Sequence, residues 1–175
     1  MELVSRMMDS SISYDPTHRL GPVLSGSGDQ QADKIDFEEV PILEGCSQRQ
    51  LRHIARITRV LDAAAGTVLV RRGEPGDEFF VILDGTLRVD VSPGNSVRLG
   101  PGAFFGEMSL LDGGTRSATV VSETPVRLLV VDRENFPVLC REVPDLTEIL
   151  SVTLSRRVRQ AEKRAELVGG ASARS

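Results

Sequence analysis

A chain of 175 residues is long enough to close one hydrophobic core and too short for a large multidomain enzyme. With 40% hydrophobic and 26% charged residues it has the make-up of a folded globular chain, unlike a disordered tail or a membrane protein. A formal net charge of −4 gives no overall attraction to DNA, RNA or an anionic membrane.

The charge is unevenly spread, with three basic and nine acidic groups in residues 1–45 against six basic and two acidic in residues 151–175. The start, MELVSRMMDS, lacks a basic segment followed by an apolar one, and no apolar run nears the roughly 18 residues of a membrane span. No lipidation signature is present. These features predict a cytoplasmic protein without membrane attachment, in which Cys46 and Cys140 are reduced thiols.

Residues 1–34 mix Ser, Gly, Asp and Gln without apolar periodicity, so nothing there offsets the entropy of ordering, and a flexible tail is expected. Ser47 with Gln50 three residues on forms a capping box, and Leu51, Ile54 and Ala55 share one face, which predicts a short helix over 47–55. From 58 to 132, short β-rich runs alternate with Gly, Pro and Asp, the pattern of an all-β sandwich or barrel. Asp84-Gly85 is the strongest hairpin signal and Pro93-Gly94-Asn95 the second. The run ENFPVLCREVP reads as a short helix ending before Pro144. Leu146, Leu150, Leu154, Val158, Ala161 and Ala165 then predict a long amphipathic helix over 145–167, long enough to offer a stripe to a second copy in a homodimer. Residues 168–175 are expected to be a frayed end. The expected class is α+β and mainly β: an antiparallel jelly-roll-like β-barrel over 58–132, flanked by a short N-terminal helix and by C-terminal helices over 133–167.

One segment breaks the barrel pattern. After Phe104-Phe105 come Gly106, a helix of barely one turn over 107–111, a Gly113-Gly114 turn and a new strand near Arg116. The first amides of such a helix lack intrahelical partners and carry the positive end of its dipole, and glycine lets the backbone approach closely. Arg116 adds a fixed fork of donors suited to phosphate oxygens. Glu107 beside a phosphate makes sense where its carboxylate accepts a hydrogen bond from a sugar hydroxyl. Each residue also has a plainer reading: a solvated arginine, a first-turn acid at Glu107, a small strand residue at Ser117, turn glycines at 113 and 114.

The tripeptide Phe105-Gly106-Glu107, the arginine nine positions after the glutamate, the pair Ser117-Ala118 and the glycine-punctuated RRGEPGDEFFVILDGTLRV together resemble the phosphate-binding cassette of the cyclic nucleotide-binding domain family. The resemblance spans residues 37–167, with a domain over 35–167 and the cassette at 104–120. It implies that Glu107 accepts the ribose 2′-hydroxyl, that the backbone of Gly106, Glu107 and Met108 lines the sugar-phosphate, and that Arg116 pairs with the exocyclic phosphate oxygen. It also implies donors from Ser117 and Ala118, and a base lid at Arg157, Val158 and Ala161. The activator-type members place a hydroxyl residue near Ala161, where this chain has only a methyl; Ser117 resembles the activator type, which favours cAMP.

With no helix-turn-helix segment after Leu167, the expected function is a stand-alone cyclic nucleotide sensor for cAMP or cGMP, signalling by movement of its C-terminal helix to an unidentified downstream protein. The alternative is an interaction or dimerisation module on the same fold with an idle cassette. His18 and His53 are the only histidines, no nucleophile–histidine pair is readable, and two cysteines cannot hold a four-thiolate cluster, so neither catalysis, a metal nor a resident cofactor is expected. The basic stretch 156–164 suits a solvated helix end better than a nucleic-acid patch.

Overall fold

The computed structural model describes residues 11–12, 35–156 and 159. The chain divides into two compact units, residues 1–144 and 145–175. The first opens, within its described residues, on a two-residue strand β1 (Ser11–Ile12), which pairs antiparallel with a strand much later in the chain. The rest of 1–34, expected to form a tail, lies outside the described residues. Two single-turn 3-10 helices, Phe37–Glu39 and Pro41–Leu43, then bury Phe37, Ile42 and Leu43.

Helix α1 (Gln48–Ile57) starts where the capping box predicts. The Gln50 amide donates to Ser47 Oγ at 3.4 Å and the Ser47 amide to Gln50 Oε1 at 2.8 Å, which satisfies two otherwise orphaned donors. The helix buries Leu51 and Ile54 and runs straight into β2 (Thr58–Ala63). There follow β3 (Val68–Val70), β4 (Glu78–Asp84), β5 (Leu87–Ser92), β6 (Asn95–Leu99), β7 (Phe104–Phe105), α2 (Glu107–Asp112), β8 (Thr119–Ser122), β9 (Val126–Asp132) and α3 (Phe136–Glu142). In α3, Pro137 lies in the first turn, where its missing amide hydrogen costs no helical bond.

The strands form two antiparallel sheets, in the orders β1-β6-β5-β8-β3 and β2-β9-β4-β7. Leu61, Phe80, Ile82, Leu128 and Val130 of one sheet pack with Leu87, Leu99 and Val120 of the other in one apolar cluster. This mainly β architecture is the expected class, with one difference: the sheets face each other as separate layers and do not close into a barrel. The expected hairpin at Asp84-Gly85 is also absent as such. Strand β4 pairs with β7 and β9, whereas β5 pairs with β6 and β8, so Gly85, at φ +89°, carries the chain from one sheet to the other. Pro93-Gly94 does close a true hairpin, with Ser92 opposite Asn95.

In the second unit, residues 146–156 are helical. The expected lid residues Arg157, Val158 and Ala161, the C-terminal half of the helix predicted over 145–167 and the expected frayed end lie outside the described residues. No helix among the described residues is long and apolar enough to cross a membrane.

Candidate functional site

The short strand β7 fixes the site. Phe105 pairs with Phe80 of β4, and their rings stack at 4.6 Å, so the chain leaves β7 directly above the start of β4. There Gly106 takes φ +90° as the residue before α2. A Cβ at this position would stand 2.5 Å from the Glu78 carbonyl oxygen and 2.7 Å from Arg116 Nη1. Only a residue without a side chain combines that dihedral with that approach.

Arg116 is held from both its backbone and its side chain. Its amide donates to the Glu74 carbonyl at 2.8 Å and its own carbonyl accepts from the Gly73 amide at 2.9 Å, which ties it to the loop before β4. The side chain turns inward and is 5% exposed. Nη1 donates to the Glu78 carbonyl at 2.9 Å, to Ser109 Oγ at 3.2 Å and to the Gly106 carbonyl at 3.3 Å. The guanidinium carbon lies 5.7 Å from the centre of the Phe80 ring. Burial pushes its pKa down, and the carboxylates of Glu78, Asp77 and Glu107 offset part of that shift. An arginine starts so far above neutrality that the group stays cationic.

Of the residues singled out in the sequence, Gly106, Glu107, Met108, Arg116, Ser117 and Ala118 all fall at this place. Glu107 is fully buried, Ala118 is buried and Met108 half-buried. Ser117 is exposed, and its hydroxyl donates to Met108 Sδ at 3.4 Å. Five further residues were given no site role in the sequence: Ser109, Glu78, Gly76, Asp77 and Arg133. A Cβ on Gly76 would collide with the Arg116 side chain at 2.0 Å. Arg133, just after the end of β9, donates to Asp77 Oδ1 at 2.6 Å, to the Gly76 carbonyl at 2.9 Å and to the Ser109 carbonyl at 3.0 Å, clamping the loop before β4 onto α2. The run GEPGDE signals a turn but not its partner; nothing local marks Arg133.

A separate hollow of about 690 Å³ opens on the five-stranded sheet beside Arg88, Arg98 and Glu123. Its arginines are already matched, Arg88 by Asp90 and Arg98 by Glu123. The two cysteines are free thiols, and burial raises the pKa of both. Among the described residues, no group of three or more His, Cys, Asp or Glu could hold a metal ion.

Residues 60–143 match the cyclic nucleotide-binding domain. The chain belongs to the cyclic nucleotide-binding domain family. Over 118 residues it is 42% identical to a cyclic nucleotide-gated potassium channel of Mesorhizobium japonicum, covering 67% of this chain and 33% of the channel. The Thermus thermophilus catabolite activator protein superposes with TM-score 0.62 at 29% identity, over 74% of this chain and 63% of that one. A chain from a cyclic-GMP-dependent signalling pathway that regulates bacterial phytopathogenesis shares 30% identity at TM-score 0.55, over 65% of this chain and 94% of that one. The chain spans about a third of the length of the curated relatives it matches first.

Proposed function

We propose that this cyclic nucleotide-binding domain is a regulatory sensor of a purine cyclic monophosphate, with cAMP preferred to cGMP, and that its output is carried by the helix that begins at residue 146. The observation that carries the reading is the burial together of Arg116 and Glu107 at one helix start: Arg116 donates at 3.3 Å to the carbonyl of the residue next to Glu107, and the two residues are 5% and 0% exposed. Burying charge is costly unless it is paired and hydrogen-bonded, and a buried cation and acid gathered at a helix start mark a candidate binding site.

A cyclic phosphodiester carries one negative charge. Arg116 would pair with an exocyclic oxygen, and the first amides of α2 with the backbone of Ser117 and Ala118 would supply neutral donors around it. Glu107 would accept the ribose 2′-hydroxyl, far enough from the phosphate to avoid repulsion. A ligand that binds one conformation of the protein better than another shifts the population toward that state by its difference in affinity. Sensing then needs no chemistry on the ligand, in keeping with a family of regulatory binding domains.

The Glu107→Gln variant tests this reading. A hydrogen bond to a buried charged group is worth about 1.5–3 kcal/mol. The wild type is therefore expected to bind cAMP more tightly than 2′-deoxy-cAMP by about that amount, and Glu107→Gln to bring the two affinities close together. An unchanged ratio of the two affinities in the variant, measured by titration calorimetry, would remove the role assigned to Glu107.

A further inference from the structure

Beside Arg116 stands a second carboxylate that the ligand reading leaves without a task. Glu78 opens β4, and while its carbonyl accepts from Arg116 Nη1, its side chain is shared unequally between two cations. Oε1 accepts a hydrogen bond from Arg59 Nη2 at 2.6 Å, whereas Oε2 is 3.8 Å from Arg116 Nη2, an ion pair too long for a hydrogen bond. Arg59 lies on the edge strand β2, opposite Val130, and its Nη2 is also 3.7 Å from Asp132 Oδ1.

Asp77 is bonded to Arg133, and of the three carboxylates that favour the Arg116 charge Glu78 acts most strongly, ahead of Asp77 and Glu107. Glu78 thus bears the charge that faces Arg116 directly and competes with an incoming phosphate for it. Resting on the cyclic nucleotide reading above, we propose that Glu78 is the counter-ion of Arg116 in the unliganded protein and that Arg59 is a positioning residue that draws this carboxylate aside. Together they set how tightly the site holds an anion.

The two substitutions should act in opposite directions and depend on each other. Glu78→Gln keeps the backbone carbonyl and the side-chain shape but removes the competing charge. A half-exposed ion pair is worth up to about 1 kcal/mol, so the variant should bind cyclic nucleotide about two- to fivefold more tightly. Arg59→Gln should weaken binding by a similar factor, because Glu78 then answers only to Arg116. In the Glu78→Gln background the same Arg59→Gln change should have no effect, and Arg59→Lys should keep most of the wild-type affinity.

The test is calorimetric titration of the full chain and these variants with cAMP and with cGMP at one low salt concentration. Tighter binding by Glu78→Gln, with an Arg59 effect that vanishes in its background, is the expected result. Glu78→Gln binding no more tightly than wild type, or an Arg59→Gln loss that persists in the Glu78→Gln background, overturns the inference alone. Should Arg59→Gln not fold, the sign of the Glu78→Gln change decides. A wild type that binds neither nucleotide overturns the ligand reading, and the inference with it.

Discussion

Replacing Arg116 by alanine is expected to cost about 2–5 kcal/mol of cyclic nucleotide affinity, a loss of about thirtyfold to several thousandfold. The magnitude follows from burial. A guanidinium that is 5% exposed has already given up most of its hydration, so a phosphate that reaches it meets a charge little screened by water. An exposed arginine in the same role would be worth a fraction of this. The variant also removes the donor to the carbonyls of Glu78 and Gly106, so some loss of stability is expected alongside the loss of affinity. Arg116→Lys separates the two effects: it restores the charge without the planar fork, and should recover part of the affinity but not all of it. Calorimetry that finds Arg116→Ala within a factor of two of the wild type would contradict the assignment.

Gly106→Ala is expected to destabilise the fold by about 2–4 kcal/mol. Forcing a non-glycine residue into the left-handed region costs about 1–2 kcal/mol by itself. Here the added methyl must also share space with the Glu78 carbonyl at 2.5 Å, part of the β4 backbone that cannot step aside without disturbing the sheet. Gly113 supplies the control, because it has φ +70° but no atom within 4 Å of a built Cβ. Gly113→Ala should therefore cost only the dihedral term. Denaturant unfolding of both variants separates the contributions, with a midpoint that shifts at constant slope. Equal costs at the two positions would show that the close approach at Gly106 carries no energy.

The features legible in the sequence are those whose cause is local. Ser47 and Gln50 find each other within one turn, so the start of α1 follows from four residues. Gly106, Glu107 and Arg116 belong to one short excursion between β7 and β8, and their order along the chain already encodes a helix start with a cation beside it. Turn chemistry reports only a local dihedral. Asp84-Gly85 and Pro93-Gly94 both deliver the positive φ expected of them at their glycines, but one turn closes a hairpin and the other passes between sheets. Which strands then pair is decided by packing that spans the whole chain. The expected mainly β architecture is present without closing into a barrel for the same reason, since alternation marks strands without saying whether two sheets close on each other.

The missing members of the site are non-local in the same sense. Glu78 meets Arg116 across 38 positions, and Arg133 meets the Ser109 carbonyl across 24. Neither a glutamate at the start of a strand nor an arginine after the end of one has a signature of its own. The role of Gly76 is equally hidden, for its need is space for the Arg116 side chain and not a turn geometry.

If Arg116, with Glu107 beside it, grips a cyclised phosphodiester, titration of the protein with cAMP, cGMP and 5′-AMP side by side must separate the ring esters from the open one. The open monophosphate brings close to two negative charges at neutral pH, and its second charge would meet Glu78, Asp77 and Glu107 around a single buried guanidinium. At least one cyclic nucleotide is expected to bind about tenfold or more tightly than 5′-AMP. Equal affinity for all three, or no binding of either cyclic nucleotide, would contradict it.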